Sequence, residues 1–200
     1  MKKVAENGKY LPYPGFTVIS FLKDDFREIQ SLFDRFPEVC KYYAPLSPFS
    51  YHMTIKDFFT LSANPSNWLR MCQNSKLHHG FAKMCHTNLD GLEIKTERTE
   101  VYIRNTIGFE LKITEGSMKV DTLREELMKV GMFREQGYTF HMTLAYQYRP
   151  LPLVSNQKFY EEVAALLKEL NGLSKNLTFL SPRYCYFEDM NTYVLYKFYQ

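Results

Sequence analysis

The sequence predicts an α+β domain duplicated about a pseudo-two-fold axis, with two antiparallel sheets lining a central cleft and helices on their outer faces. Three observations predict it. The tetrads His52-Met53-Thr54-Ile55 and His141-Met142-Thr143-Leu144 recur 89 residues apart, each behind an aromatic residue, Tyr51 or Phe140. Both stand in stretches that alternate apolar and polar residues, the mark of a half-buried strand. The series strand, helix, tetrad strand, helix, strand, strand reads twice, as pseudo-repeats of about 15–105 and 108–200 within one 1–200 domain.

In the first half, Gly15 to Leu22 is a β-branched and aromatic run that reads as a strand. A helix follows, capped by Asp24, with Phe26, Ile29, Phe33 and Phe36 on one face and Pro37 as its stop. The first tetrad strand spans about 50–58. Asn64-Pro65 opens a second helical stretch through Trp68, Leu69 and Cys72 towards His86, whose polar middle also fits a loop between two short helices. Strands near 92–97 and 100–105 close the half. The second half starts with the same Gly-Phe pair, Gly108-Phe109, opening a strand. A helix then carries Leu123, Leu127 and Val130 and ends at Gly131, a natural C-cap. The second tetrad strand spans about 139–148. An amphipathic helix with Phe159, Val163, Leu166, Leu167 and Leu170 stops at Gly172, and strands near 177–187 and 192–199 turn at 189–191.

In a strand, side chains two apart share a face, roughly 6.6–7 Å apart. His52 therefore points with Thr54 and His141 with Thr143, while Met53, Ile55, Met142 and Leu144 face the core. A lone His-x-Thr carries little weight. Threonine fills 13 of 200 positions, so a given histidine meets one two residues on about one time in fifteen; here two of five histidines do, in matching context. Brought together, the strands present two imidazoles and two hydroxyls to one pocket, a set suited to acid–base chemistry on a phosphate ester. Lys56, two beyond Thr54, should share its face, which makes it a candidate phosphate contact or else a solvated strand-end lysine, and Tyr13 is a candidate for stacking on a base. Tyr10, Tyr42 and Tyr43 lie in similar irregular segments. By parity Tyr51 and Phe140 belong to the core, and Arg149 and Arg183 read as surface charge.

Composition bounds the partner. A net charge of +3 suits a small anion or an RNA end and argues against a long duplex, which asks for a basic stripe. At 45% hydrophobic and 16% aromatic the chain can bury a full core. It has no apolar run near 20 residues, so no membrane span is expected. The polar start, Met1 to Gly8, has no signal-peptide core, which predicts a cytoplasmic protein. Cys40, Cys72, Cys85 and Cys185 lack metal-type spacing and read as buried free thiols. His78, His79, Cys85 and His86 cluster on one segment, but in no zinc pattern; they read as helix-surface residues.

On its tetrads and repeat order, the chain resembles the 2H (two-histidine, LigT-like) phosphoesterase superfamily, whose signature is a duplicated His-x-Thr/Ser-apolar motif in a bilobed α+β domain. Segments Tyr13 to Ile19, Ser50 to Thr54 and Phe187 to Met190 resemble its domain-of-unknown-function 1868 branch, which carries Asn where this chain has Phe16. The resemblance implies a metal-independent phosphodiesterase with His52, Thr54, His141 and Thr143 as catalytic residues, no metal and no cofactor. The implied substrates are 2′,3′-cyclic phosphates, 2′-5′ linked or cyclic oligonucleotides and RNA ends. The alternatives are a non-catalytic nucleotide or RNA-end binding module and an RNA 2′-5′ ligase-like activity. Oligomeric state is left open.

Overall fold

The computed structural model of the chain describes residues 2–23, 27–129 and 138–196. Gly15–Phe21 (β1) is buried along nearly its whole length, as its composition predicts. The helix Arg27–Asp34 (α1) buries Ile29, Leu32 and Phe33; the expected cap Asp24 and the face residue Phe26 lie outside the described residues. Pro37 stops this helix and also opens the next, Pro37–Cys40 (α2), at a first-turn position where a missing N–H costs nothing. Tyr43–Pro45 (β2) and the tetrad strand His52–Thr60 (β3) follow.

The stretch after Asn64-Pro65 is two helices, Trp68–Cys72 (α3) and Ser75–Leu89 (α4). They part where Asn74 caps α4, its side chain accepting the Leu77 N–H at 3.2 Å. One long strand, Ile94–Ile103 (β4), replaces the two expected near 92–97 and 100–105. The polar run Glu97 to Glu100 looks like a turn, but a register shift at Thr99 absorbs it without breaking the strand. After Thr106–Glu115 (β5), the helix Ser117–Lys129 (α5) buries Val120, Leu123 and Leu127; Val130 and the C-cap Gly131 lie outside the described residues. Phe140–Gln147 (β6) carries the second tetrad. Asn156 then caps Gln157–Gly172 (α6) as Asn74 caps α4, accepting the Phe159 N–H at 3.3 Å. The run expected as one strand over 177–187 breaks at Leu180-Ser181-Pro182 into Asn176–Phe179 (β7) and Arg183–Phe187 (β8), proline being unable to donate to a ladder. Tyr193–Leu195 (β9) is the last described strand.

The strands form two antiparallel sheets, ordered β3-β1-β8-β9 and β2-β6-β5-β4-β7. Strands change sides between the halves. After its tetrad strand and helices, the first half sends β4 into the second sheet, between β5 and β7. The second half sends β8 and β9 into the first sheet, beside β1. Helix α4 packs on β8 and α6 on β4, on the faces away from the cleft, while β3 and β6 meet at the seam between sheets. The Leu46 N–H, just past β2, donates to the Leu144 carbonyl at 2.8 Å and extends the β2–β6 ladder. One continuous apolar core runs through both sheets, from Phe16 and Val18 to Leu166 and Leu170. Among the described residues no helix is long and apolar enough to cross a membrane.

Candidate active site

Both tetrad strands carry an irregularity at the same place. In β3, Ile19 pairs with Thr54 and Val18 with Lys56, leaving Ile55 as an extra residue. In β6, Gly108 pairs with Thr143 and Ile107 with Ala145, leaving Leu144 extra. The fourth residue of each tetrad is thus a one-residue bulge, which reverses the alternation beyond it. Before the bulge, His52 and Thr54 face the cleft. Beyond it Lys56 turns into the interior, 4% exposed, and Asp57 takes the cleft face. In the partner strand Ala145 turns inward and Tyr146 comes to the cleft. Lys56, expected to share the face of Thr54, therefore does not line the cleft; its ammonium lies 3.5 Å from the Asp57 carboxylate. Arg124 of α5 donates to the Ile55 carbonyl at the bulge and stacks over Tyr138, 4.5 Å from the ring centroid.

The cleft encloses about 390 Å³ and is lined by His52, Thr54 and His141 together with Tyr13, Tyr138, Tyr146 and Tyr193. Each histidine is held in the same way. His52 Nδ1 lies 2.6 Å from the Ser50 carbonyl and His141 Nδ1 lies 3.3 Å from the Thr139 carbonyl, in each case two residues upstream. A carbonyl only accepts, so each Nδ1 carries the proton and each Nε2 is left for other work. Tyr193 packs against the His52 ring at 4.6 Å between centroids, and Tyr138 approaches His141 at 6.2 Å. The Tyr138 hydroxyl also donates to the Thr54 carbonyl at 3.4 Å, so one side chain touches both tetrads.

Burial pushes the His52 imidazole down from 6.5 to about 4; the Ser50 carbonyl opposes the shift, and the charges of His141 and Lys3 add to it. His52 is accordingly neutral across the physiological range. Thr143 sits beside the cleft, close to the Tyr102 and Tyr146 hydroxyls. Gly108 makes this possible. Any Cβ there would stand 2.6 Å from the Tyr102 hydroxyl and 2.4 Å from the Met142 carbonyl. A second hollow of about 320 Å³ opens on the other side of His141, lined by Tyr102, Arg104, Asn105, Thr106, Glu110 and Thr139.

The other candidates are placed as follows. Tyr13 lines the cleft. Tyr10 donates its hydroxyl to the Ala44 carbonyl and Tyr43 to the Arg104 carbonyl, both at 2.7 Å, and Tyr42 packs on Phe159. Tyr51 is in the core, whereas Phe140 is half-buried beneath Arg124. Arg149 binds the Glu6 carbonyl and Arg183 pairs with Asp90. His78 departs from the helix-surface expectation. It is 2% exposed, donating from Nε2 to the Met71 carbonyl and accepting the Tyr184 hydroxyl on Nδ1 at 2.7 Å, stacked on Phe16. All four cysteines are free thiols, Cys85 and Cys185 buried and Cys40 and Cys72 half-buried. Lys3, Tyr138, Tyr146 and Tyr193 were not singled out by the sequence. Only Tyr138, three residues ahead of a tetrad histidine, had a positional signal; Tyr146 was hidden by the bulge, and Lys3 and Tyr193 come from the chain's two ends.

Known structures share this architecture. A crystal structure of a conserved protein of unknown function from Agrobacterium tumefaciens str. C58 superposes with a TM-score of 0.71 at 19% identity, over 98% of this chain and 89% of that one. A crystal structure of a phosphoesterase superposes at 0.53 with 13% identity, over 94% and 97% of the two chains. E. coli LigT complexed with 3′-AMP superposes at 0.51 with 8% identity, over 92% and 96%. The chain has the LigT-like fold. In sequence it is similar to the uncharacterized protein 127L of Invertebrate iridescent virus 6, 28% identical over 89% of this chain and 84% of the viral one. No protein-family model matches the sequence. In this chain the cleft is lined by His52 and Thr54 of one tetrad and by His141 of the other.

Proposed function

We propose that the cleft cleaves a nucleotide or RNA phosphodiester, such as a 2′,3′-cyclic phosphate or a 2′-5′ linked or cyclic oligonucleotide, by metal-independent acid–base catalysis. The observation that carries this reading is the matched presentation of two imidazoles to one cleft, each with Nδ1 tied to the carbonyl two residues before it. That E. coli LigT has been crystallised with 3′-AMP supports a nucleotide as the ligand.

His52, neutral because burial disfavours its charge, is the base. Its Nε2 takes the proton from the attacking water or ribose hydroxyl, and the oxygen forms a bond to phosphorus. The bond from phosphorus to the leaving oxygen breaks as His141 Nε2–H protonates that oxygen. The proton gained by one imidazole and lost by the other is restored through solvent. The Thr54 hydroxyl donates to a non-bridging oxygen as charge builds on phosphorus. Thr143, at the matching place in β6, is the second such donor.

The test is turnover of these substrate classes in EDTA by the wild type, His52→Ala and His141→Ala. Each variant should lose about 10²–10⁴-fold in kcat with its circular dichroism unchanged. Binding with no turnover in the wild type would make the cleft a nucleotide-binding module. A strict metal requirement would overturn the acid–base scheme.

A further inference from the structure

The cleft holds a cation that this scheme leaves unused. Residues 3–11 form a small hook in which Val4 bridges Tyr10 and the Leu11 N–H donates to the Lys3 carbonyl at 2.9 Å. The hook brings the Lys3 side chain into the cleft wall. Its ammonium stands 5.3 Å from the centroid of the Tyr13 ring and 4.8 Å from that of Tyr146. Ring faces attract a cation without neutralising it. Among the described residues no carboxylate forms an ion pair with Lys3, and the one carboxylate in the cleft lining, Asp57, sits beside Lys56. Lys3 is therefore a half-desolvated positive charge with aromatic support and an unmet demand for an anion. Burial lowers its pKa from the ordinary 10.5, which registers the cost. That cost is recovered when a phosphate arrives, since a charge-assisted hydrogen bond in a partly dry site is stronger than one in water.

We propose that Lys3 is the anion-binding residue of the cleft, donating to a non-bridging oxygen of the phosphate on which His52 and His141 act. The inference rests on the phosphodiester reading for the identity of the ligand, but its test does not depend on turnover. The two rings hold the stem of Lys3 so that the ammonium is presented before substrate binds, and less side-chain entropy is lost on binding. Tyr13 enters the site in this way, as one of the faces that position the cation.

Inorganic phosphate is the probe. The imidazole resonances of His52 and His141 are followed by NMR as phosphate is added at pH 7 to wild type, Lys3→Met and Lys3→Arg. Methionine keeps the stem against the rings and removes the charge; arginine keeps the charge. Phosphate should shift the wild-type imidazoles, bind Lys3→Met about tenfold or more weakly, and bind Lys3→Arg nearly as well as wild type. Without phosphate, the His52 titration should move upward in Lys3→Met, because the Lys3 charge holds it down. The other titratable groups in the cleft walls, His141, Tyr13, Tyr138, Tyr146, Tyr193 and Asp57, are unchanged by the substitution. Phosphate that binds Lys3→Met as tightly as wild type, or binds neither, overturns the proposal. Phosphate binding that depends on Lys3 in a protein without turnover leaves the anion site standing and removes the phosphodiesterase. Turnover with KM and phosphate affinity unchanged in Lys3→Met does the reverse.

Discussion

His52 concentrates the chemistry that distinguishes this cleft from two ordinary surface histidines. An imidazole titrating near its usual 6.5 would lose about tenfold of its basic form by pH 5.5. With its proton affinity held to about 4, His52 stays available as a base through that range. In the proposed reaction, the acid limb of kcat/KM, which reports the free enzyme, should therefore fall through about pH 4 to 5. A pH profile on the leading substrate checks this, and an acid limb near 6.5 would assign the base elsewhere. The same shift has a consequence for stability. The folded state refuses a proton that the unfolded chain accepts between about 6.5 and 4, so acidification through that window destabilises the fold. His78, also lowered by burial, pulls in the same direction. At this scale the sequence was most legible, because a histidine and a threonine two apart on a strand must share a face. Lys56 shows the limit of that rule: one extra residue between it and Thr54 sends it inward.

The bulges and the turns of the ladder are decided at the scale of elements, where alternation alone misleads. The shared Gly-Phe pair is an instance. Gly15 lies opposite Thr60, at the far end of β3, and leaves room for the Phe187 ring where a Cβ would stand; Gly108 lies opposite Thr143 and admits the Tyr102 hydroxyl. The two glycines look alike in sequence, yet Gly15 faces the end of β3 and Gly108 faces the tetrad threonine of β6. The demand on Gly108 gives a prediction with an internal control. Gly108→Ala should cost about 1–3 kcal/mol, since a Cβ must displace both a backbone carbonyl and Tyr102. Gly80→Ala, inside α4 with nothing within 4 Å of its Cβ, should stabilise by about 0.4–1 kcal/mol. Urea midpoints for the two variants test this; two shifts of the same sign would mean that the close approach at Gly108 is not sustained. The helices were easier to foresee, as their apolar spacing is set locally. Their exact breaks depended on caps such as Asn74, which reads as a polar interruption until its hydrogen bond to Leu77 is seen.

For the whole molecule, the exchange of strands between halves matters more than the repetition of elements within each. A repeat read from sequence, here within one 1–200 domain, does not say which strands of each half stay together. The pairing exchanges them: β4 has β5 and β7 as its neighbours, both from the second half, and β8 extends a sheet begun by β1 and β3. Arg98 on β4 reinforces the crossing, since its buried guanidinium donates to the carbonyls of Leu170, Asn171 and Leu173 at the end of α6. Sequence order could not reveal this, because a strand's alternation says which face is buried and nothing about which sheet it joins. A fragment ending at Arg104 would leave β4 without a strand partner, and a fragment starting at Asn105 would leave β8 and β9 as an isolated pair. Isolated two-stranded ribbons are marginal in water. The intact chain should therefore unfold in one cooperative transition, and each fragment alone should lack the near-ultraviolet signal of packed aromatics. Mixed at equal concentration, the fragments should recover that signal together with phosphate binding in the cleft, because His52 and His141 come one from each. Either fragment folding alone, or two separated transitions in the intact chain, would show that the lobes are energetically independent and that the cleft is a contact between them rather than a product of the exchange.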